Sequence, residues 1–496
     1  MVHSLQAYFR IKMGSKLKIV GWISIGALAG ALISTQLQAI ARGSLAPLPL
    51  DEMQQFAAVF GMIKSDYVEP TDEKKLITDA IAGMIAGLDP HSQYFDKKSF
   101  KEFSEGTSGK FVGVGIEISS EDGYVKVVTP IEDTPAYRAG IKAGDLITKV
   151  DDWNTKGNPM NDAVKRMRGE PRTKVVLTIY RKSEDKTFPV TIIRDEIKTK
   201  SVKSKLVDTD YGWIRVSQFQ EQTVEDFAKQ ATALFKQNPK LKGLVLDLRN
   251  DPGGLLDAAV AISAAFLPPN VDVVSTKGQL KETQYVYKAA PDFYRASAAS
   301  DPLKDLPSAI KKIPLVVLVN EGSASASEIV SGALQDYKRA TIMGSQTFGK
   351  GSVQNIRPLG ENAAMKLTIA RYFTPNGRSI QSIGIVPDVL VDDTEGGSPF
   401  AVLRSREADY EKHLKNPQGE ESAEARAEKT KALETAKEEA RKRLEEEAKK
   451  PPADRIIPEF GSERDFQLRQ ALNQLQGKPV LTSKVQVARK EEKTEK

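Results

Sequence analysis

Three serines alternate with small residues in Asn320-Glu321-Gly322-Ser323-Ala324-Ser325-Ala326-Ser327-Glu328, between an apolar run ending at Val319 and a helical pattern from Ile329 to Tyr337. A serine at such a strand-to-helix joint is placed for nucleophilic catalysis. Small neighbours let a substrate come close, and a helix N-terminus offers free N–H groups and a dipole for developing negative charge. The same serines would also serve as helix N-caps, and the stretch alone does not choose among Ser323, Ser325 and Ser327. Glu328 is either a further polar aid or a carboxylate stabilising the helix dipole.

A serine nucleophile needs a base. The chain has three histidines, His3, His91 and His413. His3 lies in a leader-like segment and His413 in a charged C-terminal region. His91, at a helix end in Asp89-Pro90-His91, is expected to cap or to sit at the surface. No G-x-S-x-G elbow occurs. Lys350, in Phe348-Gly349-Lys350-Gly351, is the economical base. A lysine of ordinary pKa, about 10.4, is neutral in roughly one molecule in 2,500 at pH 7. Burial lowers lysines by about 3–5 units, enough to correct this. Gln354 is placed to orient the amine, because an alternating strand puts residues 350, 352 and 354 on one face. Gly344 to Gly351 approaches a P-loop, but Gly351 stands where Ser or Thr is needed and the next residues read as extended up to Pro358. A nucleotide site is therefore not expected.

The elements that would position these residues follow from patterning. Leu48 to Leu88 reads as two amphipathic helices broken near Pro70, with Met53, Phe56, Val59 and Ile63 at helical spacing, suited to an oligomerisation arm or a lid. From Lys110 the pattern changes to short strands with a glycine-rich start, Phe111-Val112-Gly113-Val114-Gly115-Ile116, and a helix from Asn161 to Arg168. Bare backbone N–H groups at such a turn suit an anion, and the adjoining strand edge suits an extended peptide. From Val202 to Val391 strands and helices alternate, as in an α/β core whose turns carry sites. After Gly396 the chain is highly charged. Glu420 to Lys450 reads as a solvated helix or disordered segment, and Ser462-x-x-Asp465 is expected to cap a helix bearing Leu468, Ala471, Leu472 and Leu475 on one face.

The 496 residues carry a net charge of +6 spread among interleaved acids and bases, without a basic stripe, so nucleic acid is not an expected partner. The absence of cysteine excludes disulfides, a cysteine nucleophile and thiolate metal sites. Arg10, Lys12, Lys16 and Lys18, an apolar run from Ile19 to Ile33, and Ala39-Ile40-Ala41 form an export-signal pattern. A mature start near Arg42 outside the cytoplasm is expected, with an uncleaved membrane anchor as the other outcome.

Taken together, Ser325-Ala326-Ser327-Glu328, Phe348-Gly349-Lys350-Gly351 with Gln354, Gly87-Leu88-Asp89-Pro90-His91-Ser92, Asp247-Leu248-Arg249-Asn250-x-Pro252-Gly253-Gly254 and Thr374-Pro375-Asn376-Gly377-Arg378 resemble the C-terminal processing peptidases, or tail-specific proteases, over roughly residues 50 to 395. The order of strands and helices from residue 97 resembles a circularly permuted PDZ domain. The separation of 25 residues between positions 325 and 350 matches the family's Ser–Lys spacing and selects Ser325.

The resemblance implies a signal peptide or anchor (1–41), a helical arm (45–95), a PDZ domain (97–195), a crotonase-like α/β peptidase core (200–395) and a charged helical region (396–496). It further implies Ser325 as nucleophile, Lys350 as base and Gln354 as its support. An oxyanion hole would form from the Ala326 N–H and a glycine of Gly253-Gly254. PDZ residues Gly113, Val114, Gly115, Ile116, Ala163 and Met167 would receive a polypeptide's free C-terminus. The implied protein is an exported, periplasmic serine endopeptidase needing no metal or cofactor, and its helical ends suggest a homo-oligomer and an adaptor that delivers substrates. The competing expectation is a non-catalytic PDZ binding protein that has kept the fold.

Overall fold

The computed structural model describes residues 49–295, 300–360, 363–419, 437–451 and 454–483. The export-signal pattern and most of the charged stretch from Glu420 lie outside these residues. The chain divides into two compact units, 1–81 and 82–496.

In the first unit, α1 (Leu50–Asp66) starts with Asp51 and Glu52 and ends with Lys64, charges that oppose the helix dipole at both termini. None of its residues is buried, and Met53, Phe56, Val59 and Ile63 stand exposed at the expected spacing. The boundary between units falls within α2 (Glu73–Ala86).

The second unit opens with β1 (Gln93–Asp96) and α3 (Lys97–Ser108). Asp96 caps α3 by accepting the Ser99 N–H at 2.8 Å, and Gly109 ends it in the left-handed region. The strands β2 (Lys110–Gly113), β3 (Ile116–Glu121), β4 (Tyr124–Pro130), β5 (Leu146–Val150), β6 (Trp153–Asn154), β7 (Lys174–Arg181), β8 (Lys186–Ile193) and β9 (Asp195–Lys198) follow, with α4 (Pro135–Arg138) and α5 (Met160–Met167) between them. An antiparallel sheet runs β3-β4-β5-β7-β8, and β2 pairs separately with β9. The glycine-rich loop between β2 and β3 thus leads into an edge strand.

The α/β core comprises β10 (Val202–Val207), β11 (Tyr211–Val216), α6 (Thr223–Gln237), β12 (Gly243–Asp247), α7 (Leu256–Phe266), β13 (Asp272–Gly278), β14 (Tyr285–Lys288), β15 (Leu315–Val319), α8 (Ala326–Asp336), β16 (Thr341–Gly344), β17 (Ser352–Pro358), β18 (Ala363–Phe373) and β19 (Val389–Leu390). One sheet runs β10-β11-β12-β15-β16-β19, parallel from β11 onward. A second, antiparallel sheet is built on β18, which pairs with β1, β13 and β17.

The uninterrupted apolar run of β15 reflects cover on both faces of the first sheet. Leu315, Val317 and Val319 pack with α6, α7 and α8, whereas Val316 and Leu318 pack with a C-terminal helix. That helix, α10 (Phe466–Leu475), follows the helix α9 at 437–449 and docks through Phe466, Leu468, Ala471 and Leu472. Its start corrects the expectation. Asp465, not Ser462, is the N-cap, accepting the Leu468 N–H at 3.1 Å. Residue 462 belongs instead to the preceding turn, where its carbonyl accepts the Asp465 N–H.

The parallel strands β12, β15 and β16 end side by side, so the turns after them share one edge of the sheet. Leu246→Ala, which empties a fully buried position on β12, is expected to cost about 2–5 kcal/mol. Leu444→Ala on the exposed face of α9 should stay within about 0.5 kcal/mol. Urea denaturation followed by tryptophan fluorescence checks both, and equal effects would contradict the assigned core.

Candidate active site

Ser325 sits where β15 passes into α8, with φ +53° and ψ −108°. A side chain rarely takes this conformation, and the surroundings must hold it. The two neighbouring serines do so. Ser323 donates its hydroxyl to Leu248 O at 2.7 Å, and Ser327 donates to Asp251 O at 2.8 Å. The Ala324 N–H also donates to Asp251 O. Both serines therefore stitch the joint to the turn after β12, and Ser325 keeps its hydroxyl for other uses.

That turn brings the paired glycines against the joint. A Cβ on Gly253 would stand 2.6 Å from Ala324 O and 2.9 Å from the Ala326 nitrogen. A Cβ on Gly254 would stand 2.0 Å from Phe219 O. The Gly253 N–H is already donated to Asp251 Oδ1 at 2.9 Å, whereas the Gly254 N–H makes no hydrogen bond among the described residues. Sequence reasoning left the choice between the two open; of the two N–H groups, the Gly253 one is taken and the Gly254 one has no partner among the described residues.

Lys350 lies on the turn between β16 and β17. Its flanking glycines are sterically required: a Cβ on Gly349 would meet Ser382 at 2.9 Å, and one on Gly351 would meet the Gln381 nitrogen at 2.4 Å. Burial lowers the Lys350 ammonium to about 8, and the charge of Lys366 pushes in the same direction. Glu407, Glu328 and Asp89 act against this shift. At pH 7 a pKa of about 8 leaves roughly a tenth of the amine neutral.

Glu328 joins the two halves. Fully buried, it accepts the Ser325 N–H at 2.8 Å and the Lys350 N–H at 2.9 Å on Oε2. Its Oε1 accepts the Gly349 N–H at 2.7 Å and the Thr347 hydroxyl at 2.5 Å. Burial raises its pKa to about 7, although all four donors favour the charged form. Its bond to the Ser325 N–H is that of a capping-box glutamate at a helix start, in keeping with the helix-start role considered from sequence. Its contacts with residues 347–350 depend on tertiary structure.

Two expectations are corrected here. Gln354 follows a bulge between Val353 and Gln354. It gives its amide to Ser352 Oγ at 2.9 Å and Thr368 Oγ1 at 3.3 Å, and no bond to the Lys350 amine occurs among the described residues. The bulge interrupts the alternation that placed residues 350 and 354 together. His91 is neither a cap nor a surface residue. Its ring pairs with the buried Glu407 at 2.7 Å, and Glu407 accepts Gln381, whose own amide oxygen accepts the Gly351 N–H. No Ser325–Lys350 side-chain hydrogen bond occurs among the described residues either. The Tyr372 phenol on β18 is buried, its pKa is raised by that burial, and Ser325 acts on it in the opposite direction. Glu407 and Tyr372 were missed because neither carries a motif of its own.

In the PDZ segment, Val114, Ala163 and Met167 are core residues, with Ile116 only partly covered. Of the four residues expected to line the pocket for a peptide's terminal side chain, the first three are packed into their own domain's core. Gly115 has φ +82°, and a Cβ there would stand 2.3 Å from Thr134. Its carbonyl accepts the Thr134 hydroxyl, and the Val114 carbonyl accepts the Ala136 N–H. Gly113 closes the β2–β9 pair opposite Asp195.

Over 343 residues the chain is 46% identical to the carboxy-terminal-processing protease of Bartonella bacilliformis, covering 69% of this chain and 75% of that one. The chain belongs to the carboxy-terminal-processing proteases. The family model described as Peptidase family S41 matches residues 210–391, that of the PDZ domain residues 112–192, and that of the activating protease CtpB N-terminal domain residues 29–99. A probable CtpA-like serine protease of Staphylococcus aureus is 40% identical over 336 residues, 67% of this chain and 64% of that one, so the chain spans just under two thirds of that relative. Among solved structures, a photosystem II D1 C-terminal processing protease is 32% identical, covering 68% of this chain and 86% of that one with a TM-score of 0.39. The chain is thus a serine-type C-terminal processing peptidase carrying a PDZ domain. No helix of the described residues is long and apolar enough to cross a membrane.

Glu328 gives a stability test whose sign is fixed. Its folded pKa of about 7 lies above the ordinary 4.5. Between these values the folded state holds the extra proton, so its contribution is fully present below about 4.5 and is lost as pH rises through about 7. The stability of wild type relative to Glu328→Gln should fall across that window. Denaturation midpoints of both proteins from pH 4.5 to 7.5 check this, and a flat difference would contradict it.

Proposed function

We propose that this peptidase is an exported endopeptidase on a crotonase-like core, cutting polypeptides from or near their C-termini with a Ser325–Lys350 dyad. The observation that carries the reading is the Glu328 carboxylate, which fixes the Ser325 and Lys350 backbones to one group beside an amine lowered to about 8.

In this mechanism the neutral Lys350 amine takes the Ser325 hydroxyl proton as Oγ bonds to the scissile carbonyl carbon. The carbonyl electron pair moves to oxygen, which the Ala326 and Gly254 N–H groups receive. Collapse breaks the C–N bond, and the Lys350 ammonium gives its proton to the leaving amine. Water then loses a proton to Lys350 and attacks the ester, and collapse of the second intermediate returns a proton to Ser325 and frees the new carboxyl terminus. Each step uses side chains and backbone of this chain. Gln354 acts at one remove, by fixing Ser352 and Thr368.

The PDZ domain reads a free C-terminus, with the loop at residues 113–116 receiving the carboxylate and the edge strand β3 pairing with the peptide. A cavity of about 590 Å³ lined by Glu117, Thr129 and Ile131 of this domain and Trp213, Arg215 and Phe460 of the core supports communication between the two. The exposed apolar side chains of α1 suit a homo-oligomer. Delivery by an adaptor, a periplasmic location and membrane association through residues 1–41 complete the reading. A purely binding PDZ protein would have no use for a buried, depressed lysine.

Ser325→Ala and Lys350→Ala are each expected to lower cleavage of an unstructured protein by at least about 10³-fold, and cleavage equal to wild type would sink the dyad. In wild type, kcat/KM should rise about tenfold per pH unit toward pH 8 and level above it, as the lysine loses its proton. Adding an uncleavable peptide with a free apolar C-terminus should raise turnover of a short substrate. An unchanged rate would separate the PDZ domain from control of the site.

A further inference from the structure

The turn that carries Gly253 and Gly254 begins at Arg249, which is 1% exposed and held from two directions. From its own strand, Asp247 accepts Arg249 Nε at 2.9 Å and Nη2 at 2.6 Å. From the C-terminal helix, Asp465 accepts Nη1 at 2.9 Å and Nη2 at 2.7 Å, and Gln467 accepts Nη1 at 3.1 Å. The Phe460 ring covers the guanidinium at 4.0 Å. Residues 460–467 lie some 70 positions beyond the segment matched by the peptidase family model, which ends at 391.

A buried arginine between two carboxylates is poor evidence for stability, because desolvation offsets the attraction. It does impose one geometry, since every guanidinium donor needs a partner in place. Here that geometry is passed to the backbone. Arg249 O accepts Arg215 at 2.9 Å, and the next residue, Asn250, takes φ +53° with its N–H and side chain both bonded to Asn320. The Asp251 carbonyl then receives Ala324 and Ser327 from the nucleophile's joint. Freed donors on Arg249 would allow rotation at the left-handed Asn250, four residues before Gly254.

We propose that residues 460–467 are a positioning strap for the oxyanion turn, acting through Asp465 on Arg249. Asp465 and Arg249 touch no reacting atom. Their effect is to hold the Gly254 N–H where the transition-state oxygen forms, and the inference rests on the oxyanion role given to Gly254 and Ala326 above.

A peptide aldehyde reads this role directly. Ser325 Oγ bonds to the aldehyde carbon, the carbonyl pair becomes an oxyanion in the hole, and the hydroxyl proton passes to Lys350. In the full chain, Asp465→Asn should lower kcat by about tenfold or more, up to the roughly 10²–10³-fold cost of losing an oxyanion donor outright. It should weaken aldehyde inhibition by the same factor and leave KM within about threefold. Phe460→Leu, which keeps the carboxylate, should move both quantities the same way by less, and it decides the matter if Asp465→Asn does not fold. Leu472→Ala loosens the same helix without touching Arg249. It should lower the unfolding midpoint and leave kcat within about twofold.

Unchanged kcat and aldehyde affinity in folded Asp465→Asn, or an equal loss in Leu472→Ala, would overturn the strap. Cleavage surviving in Ser325→Ala would instead overturn the nucleophile assignment, whatever the Asp465 variants do.

Discussion

A carboxylate with no solvent exposure must find its hydrogen-bond donors inside the protein, and Glu328 finds four. They belong to two segments that the chain brings together from either side of α8 and β16. Neither segment can shift without leaving a buried charge or a buried N–H unpaired, which costs far more than an exposed ion pair. Burial drives the carboxyl toward neutrality and the donors oppose it, so the group is balanced near physiological pH. The strained backbone of Ser325 persists because this carboxylate, together with Ser323 and Ser327, over-determines the joint.

The same constraint explains why the lysine can be depressed without being lost from the site. Backbone bonds, not the amine, anchor Lys350. The ammonium can then give up its proton without the turn moving. Residues 404–418 close the other side. Glu407 N–H donates to Phe348 O, Arg406 donates to Thr347 O, and Glu407 links His91 to the glutamine that holds Gly351. The turn after β12 and the base's turn are thus each backed by chain from beyond the matched peptidase segment, at Asp465 and at Glu407.

Much of the framework was legible because short-range chemistry dictates it. Strand and helix patterns placed β12, β15, α8 and α10 within a few residues, since apolar period and capping act locally. Steric reasons for Gly253, Gly254, Gly349 and Gly351 were legible as types but not as contacts. The second sheet was less legible. β1 and β13 pair with β18 across long stretches of sequence, and β14 joins the sheet only through β13. Val114, Ala163 and Met167 are assigned to a pocket only through the PDZ resemblance, and apolar side chains do not say in sequence how far their own domain's core takes them up.

Residue types and spacing alone determined a serine at a helix start, a lysine in a glycine-flanked turn, and the absence of cysteine chemistry. They could not assign Glu328 to the lysine turn, Gln354 to Ser352 and Thr368, or His91 to Glu407. Each of those pairings joins side chains whose meeting depends on which strands lie adjacent and where a bulge breaks the alternation. Tertiary structure decided them because hydrogen bonds are satisfied by proximity in space, and sequence periodicity specifies a face but not the partner across it.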